Sequence, residues 1–361
     1  MNNASGKNPL FLGSHPLGKG CPVCIVFEAG ATHNGLESAL KLVDMAAEAH
    51  ADAIKFQMLR SDRLVPDPSV MFTYKVLLDR ATGQTETVEE SLQAILKRRE
   101  LSPEDWTRLI RRCRERGILF FATASHQDEM AFLAEQGVDC VKIASGDITC
   151  HHLLRQAATY PWIVQIDTGN ATIGEVEQAV DVLETAGCRR IIINHCPTGY
   201  PARLDGINLR VIQTLQTMFP YPIAFSDHTP GCTMDIAAVA LGAGMLEKTI
   251  SLDRTIRSPE HIMSLEPHEG AAFVRTIREV EQALGSQRRI LQPQERANAA
   301  VARRSVTAAH DLPAGHVLVQ EDLDYARPET GIPACCDTQL LGRALRRTVR
   351  AGEQFSWSCL E

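Results

Sequence analysis

With 361 residues, 44% of them apolar and 22% charged, the chain exceeds the roughly 250 to 300 residues at which a single core stops growing, and it is too apolar to be disordered. Its net charge of −7, from 37 basic and 44 acidic side chains, gives no general attraction to nucleic acid or to an anionic bilayer, so an anionic substrate has to be held locally. No basic stretch runs into an apolar one near the N-terminus, and no window approaches the roughly 20 apolar residues of a membrane span. The expectation is a cytoplasmic protein of two domains, with neither nucleic acid nor membrane as partner.

Short branched apolar runs alternate with amphipathic segments from Val23 to about Ile250, the rhythm of a parallel sheet covered by helices. The predicted strands are Val23 to Glu28, Ala53 to Gln57, Ile118 to Ala122, Cys140 to Ala144, Trp162 to Asp167, Arg190 to His195, Ile223 to Ser226 and Met245 to Thr249. Helical spacing of apolar residues is clear over Leu36 to Ala49, Ser102 to Arg116, Thr172 to Ala186 and Asp235 to Gly242. Eight such units predict an α/β fold of the TIM (β/α)8 barrel type. Residues 58–117 are too many for one crossover, and the Pro, charged and aromatic residues of Asp62 to Ala81 predict an inserted loop over the barrel mouth, a lid on the substrate.

Beyond the helix near Ala272 to Leu284 the composition turns polar, then strand-like and turn-rich, as in Asp-Leu-Pro-Ala-Gly and Pro-Glu-Thr-Gly-Ile-Pro. The boundaries read as a barrel over 1–285, a linker over 286–300 and a small β-rich module over 301–361. The eleven cysteines are scattered. Cys21 and Cys24 have CxxC spacing without a second pair, and Cys335-Cys336 lies among turns, so they read as buried or idle thiols.

In a barrel, the C-terminal ends of the strands line the active site. Those ends collect Glu28 with His33, Asn34 and Gly35; Lys55 and Gln57; Lys142 and Ser145; Gln165 and Asp167; Asn194 and His195 with Thr198 and Tyr200; Ser226, Asp227 and His228; and Glu247, Lys248 and Thr249. Lys55 and Lys142 stand in otherwise apolar strands, where an ammonium is costly unless an anion answers it. Glu28 and Asp167 answer them in one reading; in the other the lysines also grip the phosphate and carboxylate of a small substrate, with neighbouring hydroxyls donating hydrogen bonds. A strand-borne lysine also suits a Schiff base with a carbonyl substrate, as in barrel aldolases.

The segments Glu28-Ala-Gly-Ala-Thr-His-Asn-Gly, Asp52-Ala-Ile-Lys-Phe-Gln, Lys142-Ile-Ala-Ser-Gly, Ser226-Asp-His-Thr and Ser264-Leu-Glu-Pro, in that order, resemble those of the sialic acid synthase family. The module from Val301, with Arg327-Pro-Glu-Thr-Gly-Ile-Pro, resembles that family's antifreeze-like (SAF) domain, so the likeness covers nearly the whole chain. It implies condensation of phosphoenolpyruvate with an aldehyde sugar, an N-acylmannosamine or related amino sugar, to a nine-carbon 2-keto-3-deoxy acid and phosphate. It also implies a divalent metal, manganese or magnesium, and a domain-swapped homodimer. Carried onto this chain, the resemblance puts Lys55, Lys142, Ser145, Asp167, Thr198, Tyr200 and Ser226 at the phosphoenolpyruvate site, with Asp227 and Lys248 as further substrate contacts. Glu28 falls at the acid near the reacting carbons, His228 at a metal ligand, and Arg327 where a partner's module meets the sugar.

Several positions depart from the family pattern. Its eighth strand ends Glu-Lys-His, the histidine being the second metal ligand, whereas this chain reads Glu247-Lys248-Thr249. A hydroxyl is a poorer ligand than imidazole, so the metal site is expected to be weakened, held by His228 with Asp167, Glu247 or water. Asp167 replaces the usual Ser, Thr198 the usual Asn, Ala122-Thr-Ala-Ser125 the usual Ser-Thr-Pro-Phe, and Ser258 the Gly before Pro259. The competing functions are a Schiff-base aldolase or lyase and a non-catalytic sugar-binding homologue.

Overall fold

The computed structural model describes residues 9–361. These fall into two compact units that part after Gly285. In the first, eight parallel strands close into a barrel: β1 (Cys24–Glu28), β2 (Ala53–Gln57), β3 (Leu119–Thr123), β4 (Cys140–Ile143), β5 (Ile163–Asp167), β6 (Ile191–His195), β7 (Ile223–Asp227) and β8 (Met245–Thr249). Each strand pairs with its neighbour in sequence, and β8 pairs with β1 to close the ring. The β-branched and aromatic residues of these runs are buried because every strand is covered on both faces, by the barrel interior and by the helices.

The helices follow from the same sequence signals. Ile173–Thr185 buries Val176, Ala179, Val180 and Leu183, a stripe at spacings of three and four, and starts at Thr172, whose hydroxyl accepts from the Glu175 N–H while the Glu175 carboxylate accepts from the Thr172 N–H. Pro103–Arg116 is capped by Ser102 and stopped by Gly117 in the left-handed region at φ 70°.

The insertion after β2 is ordered. It forms a hairpin, Met71–Asp79 against Gln84–Ser91, followed by the helix Leu92–Lys97, with a small core of Tyr74, Val76, Val88 and Ile95. Arg80, just past the first hairpin strand, donates to Asp253 Oδ1 at 2.6 Å and to Glu266 Oε1 at 2.7 Å. The hairpin is thereby fastened to the segment that follows β8.

The second unit, from Ser286, packs Val306, Leu312, Leu318, Leu340, Leu345, Val349 and Phe355 around a short antiparallel pair, Ser305–Ala308 with Leu323–Ala326. Pro293–Ala302 is helical, running from the stretch read as a linker into the first two residues of the stretch read as the β-rich module. No helix among the described residues is long and apolar enough to cross a membrane.

Candidate active site

Strand register and alternation decide which side chains face the barrel axis. Glu28 sits beside Lys55 across β1 and β2, Thr249 beside Glu28 across β8 and β1, Ser226 beside Glu247 across β7 and β8, and Asp167 beside Asn194 across β5 and β6. The inward residues form one buried network. Lys142 Nζ lies 2.5 Å from Glu247 Oε2 and 2.8 Å from Asp167 Oδ2. Lys55 pairs with Glu28 and stands 3.5 Å from Glu247 Oε2. Gln165 Nε2 donates to Glu247 Oε1 at 2.7 Å, and Asn194 Nδ2 to Asp167 Oδ1 at 2.7 Å. Gln165 Oε1 and Asn194 Oδ1 are buried and accept from nothing among the described residues.

Three carboxylates thus meet two ammonium groups. Burial would raise Glu247, but Lys142 and Lys55 outweigh it and hold the carboxyl at about 2. Burial also opposes the Lys142 charge, yet Asp167 and Glu247 keep that ammonium well above its ordinary range. Asp167 is the odd acid of the set: burial, reinforced by the Glu247 charge, raises its carboxyl despite Lys142.

Around the rim, loops bring further groups inward. Gly30 lies so close to β2 that a Cβ there would stand 2.3 Å from the Gln57 nitrogen and 2.8 Å from Glu28 Oε1, so no side chain fits beside Glu28. At Gly169 a Cβ would meet the Cys196 carbonyl at 2.8 Å, Ser145 Cβ at 3.0 Å and the Thr198 methyl at 3.2 Å, which places Ser145 and Thr198 on either side of the β5 exit. His228 donates from Nδ1 to the Pro197 carbonyl at 2.9 Å, and the Tyr200 ring packs 4.8 Å from its imidazole. That bond fixes the tautomer and leaves Nε2 free to accept or to ligate.

A family model described as the NeuB family matches residues 42–289, and one described as the SAF domain matches residues 303–361. The chain belongs to the NeuB family. It is 33% identical to the N,N'-diacetyllegionaminic acid synthase of Legionella pneumophila over 99% of both chains. It is 34% identical to human N-acetylneuraminate-9-phosphate synthase over 91% of this chain and 90% of that one. Among solved structures, the N-acetylneuraminic acid (sialic acid) synthetase of Leptospira borgpetersenii in complex with citrate superposes with a TM-score of 0.70 at 32% identity, over 81% of this chain and 95% of that one. The expected barrel followed by a SAF domain is therefore the fold of this NeuB-family chain.

The geometry redistributes part of the expected site. Asp227 and Lys248 do not face the barrel axis. Lys248 pairs with Asp227, lies 3.1 Å from Asp235 on the helix Thr233–Ala240, and packs over the Phe273 ring on the helix Pro267–Leu284. Two-residue alternation explains this: with Ser226 and Glu247 inward, the next residue of each strand points into the helix layer. Asp167 and Glu247, expected to help His228 hold a metal, lie in the ion-pair network of the barrel axis. All four of their oxygens already accept from Lys142, Asn194, Gln165 or Ser226.

The described residues hold two clusters of three metal-ligating side chains, His15, Cys24 and Asp52 in one and Glu266, His268 and Glu269 in the other. Neither includes His228. His195 is structural, its Nε2 bonded to the Ile207 carbonyl at 2.7 Å. Arg327 is exposed on the second unit, just past the strand Leu323–Ala326.

Three buried groups at the barrel mouth were not among the expected site residues or were left undecided between site and scaffold: Arg99, Glu260 and His33. Arg99 lies in the run Lys97-Arg98-Arg99-Glu100, which reads as a solvated helix end. The usable signal was Ser258 in place of the family's Gly, since its hydroxyl accepts from Arg99 Nη2 at 3.3 Å.

Proposed function

We propose that this chain condenses phosphoenolpyruvate with a neutral N-acylated amino sugar in its aldehyde form, giving a nine-carbon 2-keto-3-deoxy acid and phosphate. Its family membership makes it a carbon–carbon bond-forming synthase, and the observation that carries the finer reading is the Lys55–Glu28–Glu247–Lys142–Asp167 network at the strand ends. In the reaction, C3 of the enolpyruvate bonds to the aldehyde carbon while water adds at C2. The C2–O bond to phosphate then breaks, and the former aldehyde oxygen takes a proton.

Lys55 and Lys142 offer ammonium groups to the phosphate and carboxylate, with the hydroxyls of Ser145, Thr198 and Ser226 and the Tyr200 phenol orienting them. Glu28 takes the proton from the attacking water and returns one to the alkoxide. A divalent cation, manganese or magnesium, held by His228 Nε2 and completed by water would supply Lewis acidity at the aldehyde oxygen. A Schiff-base route is disfavoured because an amine nucleophile needs a lowered pKa, whereas Lys142 is held charged by two carboxylates.

Incubation with phosphoenolpyruvate and a panel of N-acylated amino sugars should release one phosphate per keto acid formed, and chelation should lower turnover while added manganese gives a bound-ion resonance signal that His228→Ala removes. Absence of phosphate release with every sugar, or inactivation by borohydride, refutes this reading.

The functional form we propose is a homodimer in which Arg327 of one chain reaches the sugar bound in the barrel of the other. Mixing inactive Arg327→Ala and Lys55→Ala chains should then restore about a quarter of wild-type activity, because one hybrid mouth in each heterodimer is intact. A mixture as inactive as its components refutes the exchange.

A further inference from the structure

Arg99 is a buried cation, 5% exposed, presented by the turn that ends the insertion, where its N–H bonds the Leu96 carbonyl at 2.9 Å. A guanidinium carries five N–H donors, and buried ones are normally paired. Here the side chain makes one hydrogen bond, to Ser258 Oγ at 3.3 Å, and no salt bridge with any described residue. Its one partner, Ser258, lies in the segment that follows β8, and burial lowers the guanidinium against the opposing charges of Glu260 and Glu28.

Glu260 is also buried, and holds φ 74° and ψ −22°, a left-handed conformation that a glutamate adopts only when its surroundings impose it. Burial raises its carboxyl against the opposing charge of Arg99, and it stands two residues from Ser258, the hydrogen-bond partner of Arg99. His33, also buried, has neither ring nitrogen bonded to a partner among the described residues, and burial together with Arg99 lowers it to about 4, so it is neutral.

We infer that Arg99 and Glu260 clamp neighbouring hydroxyl groups of the acceptor sugar, the guanidinium donating to one oxygen and the Glu260 carboxylate accepting from another. The inference rests on the condensation proposed above and names the acceptor's class: an uncharged polyol at this position, not a phosphorylated one. A donor-only group and an acceptor two residues from its one hydrogen-bond partner, not bonded to each other, match a ligand that is donor and acceptor at once. An anion bound to Arg99 would instead meet the charges of Glu260 and Glu28, which already act on that guanidinium. Ser258 supplies the bond that aims the guanidinium, so the two residues form one specificity element.

The test uses full-length protein and the amino sugar that wild type turns over fastest. Arg99→Met should raise the sugar KM about tenfold or more, leave the phosphoenolpyruvate KM within about twofold, and erase discrimination against that sugar's deoxy analogues. Arg99→Lys should recover part of the loss, and the sugar's phosphate ester should be the poorer wild-type substrate. Thermal unfolding identifies a misfolded variant, in which case Ser258→Gly, which removes the aiming bond and only one hydroxymethyl group, should shift the same KM in the same direction by a smaller factor. An unchanged sugar KM in folded Arg99→Met, or a wild-type preference for the phosphate ester that this variant loses, overturns the inference while leaving the condensation intact. Wild type that releases phosphate with no sugar overturns both.

Discussion

Replacing Lys142 with Met should lower the unfolding free energy of the barrel unit by about 3–5 kcal/mol, the usual cost of removing one partner from a buried ion pair. Two carboxylates lose their common cation at once, at 2.5 Å for Glu247 and 2.8 Å for Asp167. Lys55 already answers Glu28 and stands 3.5 Å from Glu247, so it cannot compensate both. Urea unfolding followed by Trp106 and Trp162, both buried in the barrel unit, measures the loss. Turnover should fall below detection in the same variant. Adding Glu247→Gln should return at least about 1 kcal/mol, because contacting residues are not additive and the second change removes the orphaned charge. A Lys142→Met barrel within about 1 kcal/mol of wild type would mean that the network is not what holds these strand ends together.

The sign of the pH dependence differs between the acids of this network. Glu247, held at about 2, contributes stability that is complete above the ordinary carboxylate range and is lost as pH falls through about 2. Asp167, raised by burial, works the other way: its ionisation in the folded state is a cost that appears as pH rises through its ordinary range. The lysines that we propose bind an anion thus carry one carboxylate that is firmly ionised and one that is reluctantly so.

The strands were legible because each is a short branched apolar run buried on both faces, and every predicted strand ends within two residues of the observed one. Lys55 and Lys142 were legible for a related reason: a charge inside such a run has no solvent to reach. What a list of strand-end polar residues could not give is which face each one takes. Glu247 and Lys248 are adjacent, so only one can face the axis, and that parity is set by the register with β1 and β7. The helix Pro293–Ala302 escaped for another reason. None of its residues is buried, so it lacks the apolar stripe by which a helix is recognised, and only its Gln292 to Glu295 cap and Pro293 mark it. Arg99 was hidden by its neighbours, since three cationic residues in a row read as solvated until tertiary structure buries one of them.

Restoring the family's residue in Asp167→Ser should lower the phosphoenolpyruvate KM, by about tenfold to a hundredfold near neutral pH. The wild-type network already carries one more acid than lysine, and the substrate brings further negative charge to the same two ammonium groups. A unit charge about 4 Å away is worth up to about 4 kcal/mol near a protein surface, and part of that is lost because Lys142 is then paired by Glu247 alone. A serine hydroxyl is one bond shorter than Asp167 Oδ1, which now accepts from Asn194 at 2.7 Å, so Asn194 must shift to keep a partner, and that offsets part of the gain. The pH profile separates charge from shape. In wild type, phosphoenolpyruvate binding should tighten as pH falls through the raised Asp167 pKa, because protonation cancels the surplus acid and turns the carboxyl into a donor. In Asp167→Ser that limb should vanish while the rest of the profile stays. Measuring KM for phosphoenolpyruvate against pH in both proteins decides the matter: a serine variant with weaker binding would mean that Asp167 supports the site as an acceptor from Lys142, and an unchanged limb would mean that another group titrates there.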